Sequence, residues 1–186
     1  MRPSAVALSA ALLLAERNHG RPAMTRRRII VPAALRGVYA RWRFAPAVVV
    51  DGLVFCSGIV GTSVDGEPPR RGDPGEALDG AEATTADADA GVQALVAVRD
   101  PEAQFATAFE ALAAILAEAG AGLSDLVEIT TYHVDMGTHW DAFIRARDRY
   151  LVEPYPAWTA IGVASLIVPG GLMEIRAVAE LPAGKA

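Results

Sequence analysis

The sequence predicts a single α+β domain in which a mixed β-sheet carries two α-helices on one face. Three observations predict it: apolar strands around a tight turn over 48–60, a helix that opens at Asp100, and apolar strands around a Pro-Gly turn over 155–179. A strand rich in β-branched residues and a second helix lie between the helix that opens at Asp100 and the strands over 155–179. The predicted order is therefore hairpin, helix, strand, helix, hairpin, and the 186 residues fit one domain with a sizeable core.

The first hairpin is predicted by Asp51-Gly52, which separates two apolar runs. Asp-Gly supplies the positive backbone angles that a two-residue turn requires. Ser57-Gly58 interrupts the second run, and a glycine inside a strand suggests a bulge or the close approach of a ligand to the backbone. Cys56, which precedes them, is interpreted as a small buried strand residue rather than a nucleophile.

The clearest helix opens at Asp100-Pro101, an N-cap residue followed by proline at the first helical position. Apolar residues recur at helical spacing over 105–116, and a glycine then ends the helix. The β-branched stretch over 125–136 predicts a strand. Thr138 is then expected to cap a second, amphipathic helix that runs to about Leu151.

The domain is expected to cover residues 29–182, with an insertion at about 62–100. The insertion is rich in proline, alanine and aspartate and is only weakly patterned, although 92–98 could add a strand or a helical turn. Residues 1–28 are interpreted as a leader or a disordered N-terminal tail. An apolar run follows Arg2 there, but no convincing small-residue cleavage site comes after it.

Composition excludes several classes of protein. A net charge of −5 argues against a general nucleic-acid binder. Although 52% of the residues are hydrophobic, no apolar run approaches the roughly 18 to 20 residues of a membrane-spanning helix. We therefore expect no nucleic-acid or membrane partner. The single cysteine excludes an intrachain disulfide and fits a reducing compartment, so a cytoplasmic location is expected.

Cofactor motifs are not found in the sequence. No glycine-rich phosphate loop lies between a strand and a helix, so a nucleotide cofactor is not indicated. His133 and His139 have two aspartates nearby, but their spacing matches none of the zinc patterns. We therefore expect no metal, and we interpret these histidines as surface or hydrogen-bonded residues.

Glu174 is an unusual residue for its position, because it lies in a mostly apolar strand where β-propensity gives no reason for a carboxylate. Such a residue either faces water or takes part in chemistry. Arg176 lies two residues farther along and so points to the same face of the strand. We expect Arg176 to pair with Glu174, with the alternative that it offers a charge to a ligand.

Four stretches together resemble the RidA (YjgF) family: 53–58, 104–120, 124–132 and 155–179. The segment Tyr155-Pro-Ala-Trp-Thr-Ala-Ile-Gly-Val is most similar to the YjgH-like branch, which carries tryptophan in this motif. The resemblance implies a chorismate-mutase-like α+β fold that assembles as a homotrimer. It also implies ligand sites in the clefts between subunits, a small-molecule substrate and no cofactor.

The best-known members of the family hydrolyse reactive enamines or imines to keto acids and ammonia. The resemblance implies that Glu174 positions or activates water and that Gly58 contacts the ligand through its backbone. Phe44 lies near a position that an aromatic residue often occupies. Ser57 and Ile59, the neighbours of Gly58, are expected to complete the substrate-binding pocket, and Ile59 makes that pocket more apolar.

Trp158 departs from the family pattern, because the deaminases have at this position an arginine that binds the substrate carboxylate. Arginine grips a carboxylate through two charge-assisted hydrogen bonds, whereas an indole has one N–H donor and a large apolar face. We therefore expect a ligand that is less charged or larger than a small 2-imino acid. An equally supported interpretation is that Trp158 fills a subunit interface.

The leading hypothesis is the cofactor-independent hydrolysis (deamination) of a reactive imine or enamine, with Glu174 as the catalytic residue and Trp158 in the substrate site. The alternative is a non-catalytic, small-molecule-binding trimer that uses the same cleft. Ribonuclease activity, a label that some relatives carry, is the least favoured. The acidic charge balance and the lack of a basic cluster argue against it.

Overall fold

The computed structural model of the chain describes residues 27–63, 66–68 and 96–182. Six strands form one sheet, and two further strands form a small ribbon. The strands are β1 (Arg28–Ile30), β2 (Ala47–Val50), β3 (Leu53–Val60), β4 (Thr62–Ser63), β5 (Val96–Ala97), β6 (Leu126–Val134), β7 (Ala157–Val163) and β8 (Met173–Glu180). The helices are α1 (Arg36–Trp42), α2 (Pro101–Ala119) and α3 (Met136–Tyr150).

The order of strands in the large sheet is β1-β2-β3-β8-β6-β7. Neighbours run antiparallel except β6 and β7, which are parallel. The predicted α+β class with a mixed sheet is therefore confirmed. The first hairpin is also confirmed, because Asp51 and Gly52 adopt φ angles of 51° and 77° between the paired strands β2 and β3.

The hairpin predicted over 155–179 is wrong, because β6 lies between β7 and β8. α3 carries the chain from the end of β6 back to its start, so β7 enters parallel to β6 at the edge of the sheet. The connection over 164–172 then leads across β6 to the central position of β8. A tight hairpin turn would have placed the two strands side by side instead.

Helix α2 has the ends that its sequence predicts. The Asp100 carboxylate accepts a hydrogen bond from the Ala103 N–H at 2.8 Å, and Gly120 ends the helix with a φ of 97°. Its apolar stripe is buried against the sheet and against α3. Phe105 and Phe109 both contact the ring of Phe143 from α3, with centroid distances of 5.8 and 6.5 Å. The main core therefore lies between the sheet and these two helices.

One helix prediction is corrected, and one further helix was not predicted. Helix α3 begins at Met136 rather than after Thr138, because Asp135 adopts a left-handed φ of 47° and its carbonyl accepts the N–H groups of Thr138 and His139. A third, short helix, α1, was not predicted. It ends at Arg43, whose φ is 56°, and it contributes Val38 to the core.

The ribbon of β4 and β5 marks the two ends of the expected insertion, with Thr62 opposite Ala97. The sequence left a strand or a helical turn open for 92–98. The C-terminal part of this stretch forms the strand β5. Most of the insertion, and residues 1–26 of the predicted leader or tail over 1–28, lie outside the described residues, while Arg28 belongs to β1. Those boundaries stay predictions.

The sheet face opposite α2 and α3, here called the open face, remains partly exposed. Side chains alternate along each strand, so Glu174 and Arg176 of β8 point to this face while Ile175 between them is buried in the core. Phe55 of β3 and Ile161 of β7 are exposed on it. An exposed apolar sheet face of this kind is typical of a surface that a partner covers.

Gln104 connects α2 to two loops. Its amide nitrogen donates to the Val98 and Gly170 carbonyls at 2.8 and 3.1 Å, and its amide oxygen accepts the Leu172 N–H at 2.6 Å. The residue is 1% exposed. Water therefore has little access to replace these bonds if the amide is removed.

We expect Gln104→Met to lower the free energy of unfolding by about 2 to 4 kcal/mol, because it leaves two carbonyls and one N–H without their partner. Urea unfolding measures the loss. Glu118→Gln, an exposed change on the same helix, serves as the control and should stay within about 0.5 kcal/mol of the wild type. Equal stability of the two variants would contradict the role assigned to the amide.

Candidate functional site

Glu174 lies near the start of β8, in the middle of the sheet. Its cross-strand neighbours on the open face are Val60 of β3 and Tyr132 of β6. The side chain is half-buried, and this burial raises the pKa of its carboxyl above the usual glutamate value. A carboxyl with a raised pKa exchanges protons closer to neutral pH than an ordinary surface glutamate does.

Gly58 makes room for the Glu174 carboxylate. The register of β3 against β8 shifts between Cys56 and Ile59, so the sequence-predicted irregularity at Ser57-Gly58 is confirmed. A Cβ atom on Gly58 would stand 1.7 Å from Oε1 of Glu174. The group that approaches this backbone closely is therefore the carboxylate of the neighbouring strand, and a side chain at position 58 would force that carboxylate to move.

Ser57 fixes the chain segment that follows Phe44. Its hydroxyl donates to the Ala45 carbonyl at 2.7 Å, and its N–H donates to the Pro46 carbonyl at 2.9 Å. This places the segment after Phe44 beside the bulge, and Phe44 itself is exposed. Ser57, Gly58 and Glu174 thus lie together in the sheet, and Phe44 directly precedes the segment that Ser57 binds.

Two other predicted residues are placed differently. Ile59 pairs with Ile175 and packs against the core, because the bulge shifts the alternation of side chains along β3. Arg176 is exposed on the same face as Glu174, but no ion pair joins the two side chains within the described part of the chain. The Glu174 carboxylate lies half-buried against Gly58, whereas Arg176 extends into the exposed part of the face.

Trp158 lies on the opposite face of the sheet from Glu174. It pairs with the buried Ile129, and its indole N–H donates to the Thr131 hydroxyl at 2.9 Å. Its ring stacks on Trp140 of α3 with a centroid distance of 5.9 Å and an interplanar angle of 12°. The face of β7 that carries Trp158 is therefore the face covered by α3.

Two more α3 residues contact Trp158. The Phe143 ring lies 5.8 Å from it, and the guanidinium carbon of Arg147 lies 4.9 Å from its ring centre. We call Trp140, Phe143, Arg147 and Trp158 the Trp158 cluster. Trp158 keeps 37% of its surface exposed, so the cluster is accessible from the edge of the sheet.

One copy of the chain therefore cannot place Trp158 and Glu174 around the same small ligand. The sheet lies between the two side chains, because side chains alternate between the faces along each strand and these two point to opposite faces. Trp158 also lies on the edge strand β7. A cleft that uses both residues requires a second copy of the chain. The cleft between subunits that the sequence analysis expects stays a prediction, because it depends on such an assembly.

His133 is buried beside the Trp158 cluster. It is 2% exposed, and its ring lies 4.6 Å from Phe143 and 5.8 Å from Trp140. The interpretation as a surface histidine is thus wrong, and Nε2 has no hydrogen-bond partner among the described residues. Burial lowers the pKa of His133 to about 4, so the imidazole is neutral at physiological pH.

Cys56 is buried, as predicted, and burial raises the pKa of its thiol to about 12. It is a protonated core residue near neutral pH rather than a nucleophile. The described residues contain no group of three or more histidine, cysteine, aspartate or glutamate side chains placed to bind a metal. None of the described helices has both the length and the apolar composition needed to cross a membrane.

Sequence reasoning missed Tyr132 as a neighbour of Glu174, and it missed the contacts of Trp140, Phe143 and Arg147 with Trp158. The α3 residues were recognised only as one amphipathic stripe. Their spacing of three and four was the available signal, since it places them along one side of a helix. Which strand this side would cover depends on the sheet order.

The family follows from comparison with known proteins. The family model described as "Endoribonuclease L-PSP" matches residues 35–181. The chain belongs to the endoribonuclease L-PSP family. The resemblance to RidA (YjgF) proteins, and to their YjgH-like branch, is thereby confirmed together with the relatives described next.

The RutC family protein YjgH of Escherichia coli is 29% identical over 160 residues, which cover 86% of this chain and 98% of YjgH. A solved structure of protein YjgH matches with a TM-score of 0.60 and 27% identity, covering 84% of this chain and 97% of that one. RidA from an Antarctic Psychrobacter bacterium matches with a TM-score of 0.55 and 25% identity, covering 83% and 99%. The chorismate-mutase-like fold expected from the sequence is thus confirmed.

In this endoribonuclease L-PSP family protein, we expect Gly58→Ala to lower the free energy of unfolding by about 1 to 3 kcal/mol, because the new methyl group and the Glu174 carboxylate cannot share the same space. Chemical denaturation measures the loss. The control is Gly137→Ala, since a Cβ there meets no atom within 4 Å.

The double variant Gly58→Ala/Glu174→Ala tests the cause of this loss. Removing the carboxylate should restore most of the stability, because the clash then has no second partner. If the effects of the two substitutions simply add, the close packing of Gly58 against Glu174 is not what constrains this position.

Proposed function

We propose that this protein hydrolyses a reactive imine or enamine to a carbonyl compound and ammonia, without a cofactor, and that Glu174 is its catalytic residue. The observation that carries the proposal is the half-buried Glu174 carboxyl, with its raised pKa, seated over the backbone of Gly58. Membership in the family of RidA-like proteins supports the same chemistry.

The proposed reaction needs only water and proton transfer. Water adds to the imine carbon while Glu174 accepts a proton from it, and the nitrogen gains a proton to give a carbinolamine. The C–N bond then breaks, ammonia leaves and the C=O bond forms. An enamine first takes a proton on carbon to become the imine. A carboxyl whose pKa is raised toward neutral pH can both accept and return a proton in this sequence.

We propose that the active form is a homotrimer with its sites in the clefts between subunits. Trp158 and Glu174 lie on opposite faces of one sheet, so a second copy is needed to bring the two residues together. The exposed Phe55 and Ile161 on the open face give a second copy apolar surface to cover. We also propose a cytoplasmic location, which rests on the single, buried cysteine.

The state of Trp158 supports a substrate other than a small 2-imino acid. Its only donor, the indole N–H, is already bound to Thr131. The residue therefore offers a ligand an apolar face and no hydrogen bond. A small imino acid would lose the hydrogen bonds that an arginine at this position gives its carboxylate, while a larger or aromatic imine would gain a surface to pack on.

A non-catalytic, small-molecule-binding trimer is the alternative function. It is favoured by the same observation, because losing the carboxylate-binding arginine removes the grip on the family's usual substrates while leaving the cleft. RNA cleavage, which the family description names, is less well supported. The net charge is −5, and His133 is buried and neutral.

We expect Glu174→Gln to lower the rate of imine hydrolysis by at least about 100-fold, because the amide cannot accept the proton of water. The matched control is Glu180→Gln, an exposed change on the same face of the same strand, which should keep the wild-type rate. The assay follows ammonia release from 2-aminoacrylate and from the imine of phenylalanine, each formed in situ by a second enzyme.

The wild type should act on the phenylalanine imine faster than on 2-aminoacrylate. An unchanged rate in Glu174→Gln would contradict the proposal that this carboxylate is catalytic. If the wild type accelerates neither reaction but binds the carbonyl products, the non-catalytic alternative is correct.

A further inference from the structure

We propose that Arg147 of α3 is the residue that selects an anionic ligand in this protein. The ligand class is a carboxylate that carries a flat apolar group, and this flat group lies against Trp158. This inference rests on the proposed function of the cleft, because it assigns the substrate class of that same site.

Trp158 cannot itself hold an anion. Its N–H is engaged by Thr131, and the rest of the indole is apolar. Its exposed surface is therefore a platform on which a flat group can lie. A charged group on the ligand needs a cation from elsewhere in the fold.

Arg147 places a cation at this platform. Its guanidinium carbon lies 4.9 Å from the centre of the Trp158 ring, within the range of a cation–π contact. Trp140, Phe143 and Arg147 follow one another at spacings of three and four on α3, and all three contact Trp158. Because its side chain is only 24% exposed, the guanidinium is held near this ring.

The other arginines of α3 do not share this position. Arg145 and Arg149 both form ion pairs with Glu102 of α2, and they lie in the groove between the two helices rather than at Trp158. Arg147 is therefore the α3 arginine that a ligand on the Trp158 platform would meet. Arg145 provides a matched control on the same helix.

Arg147 retains capacity to bind an anion. Its Nε and Nη2 groups donate to one oxygen of Asp148, at 2.9 and 2.6 Å, and Nη1 has no hydrogen bond to a described residue. The Asp148 side chain is 59% exposed, and an exposed ion pair of this kind contributes little. A ligand carboxylate can therefore join or replace Asp148 at the guanidinium.

Space for the body of the ligand lies farther along β7. Ala160 and Gly162 follow Trp158 on the same face of the strand. Both are small, and a Cβ on Gly162 would meet no atom within 4 Å. Beyond Trp158 the strand therefore carries only small residues on this face, with open space at Gly162.

The test is a calorimetric comparison of two probes of the same shape, phenylacetate and neutral phenylacetamide, on the full-length protein. The wild type should bind phenylacetate at least about 10-fold more tightly, as expected for a charge-assisted contact. Arg147→Met should abolish this preference while changing phenylacetamide binding less than about twofold. Arg147→Lys should restore part of it, and Arg145→Met should leave it unchanged.

Several outcomes would overturn the inference. They are no binding of phenylacetate to the wild type, an intact preference in Arg147→Met, or equal losses for both probes in that variant, which would show that Arg147 only supports Trp158. A preference lost in Arg176→Met instead would place the cation on the Glu174 face.

The result is separable from the proposed catalysis. Glu174→Gln should keep the carboxylate preference, because binding at Arg147 requires no proton transfer. Hydrolysis without any effect of Arg147 on probe binding refutes the inference alone, whereas an intact preference without hydrolysis refutes only the catalytic proposal.

Discussion

The alternation of side chains across the central strand β8 is the constraint on which the rest of the site depends. Hydrogen bonding to β3 on one side and β6 on the other fixes the register of this strand. Glu174 must then face away from the helices, beside Gly58. A slip of one residue would turn the carboxylate into the core and bring Ile175 out of it.

The same constraint separates Glu174 from Trp158. In one chain the carboxylate lies on the open face, while the indole packs beneath α3 with its N–H bound to Thr131. A site that uses both residues is thus a property of an assembly. In one chain, the surroundings of Glu174 therefore do not depend on which residue stands at position 158.

Local chemistry accounts for what the sequence predicted well. Asp51-Gly52 and the two ends of α2 depend on residues within one turn, and the structure has them as expected. The pairing of β7 and β8 was predicted wrongly because sheet order is a long-range property that no turn signal contains. Ile59 was misplaced for a related reason, since the bulge before it reverses which face it occupies.

The family resemblance suggested Glu174 and Trp158 as site residues, but it gave no reason to consider Arg147. Its position beside Trp158 follows from the packing of α3 on β7, and the sequence shows only that it belongs to an amphipathic stripe. It was also unexpected that Nε2 of His133 has no hydrogen-bond partner within the part of the chain that the structure describes. A buried histidine has no distinct sequence pattern in a β-branched strand.

Subunit complementation tests most directly whether the site is shared between two copies. Glu174→Gln and Trp158→Ala, each expected to have low activity alone, are unfolded, mixed in equal amounts and refolded together. If each cleft takes Glu174 from one subunit and Trp158 from its neighbour, about a quarter of the clefts in a random mixture contain both residues intact. The account predicts recovery of about that fraction of wild-type hydrolysis. Activity equal to the mean of the two separate variants would contradict it.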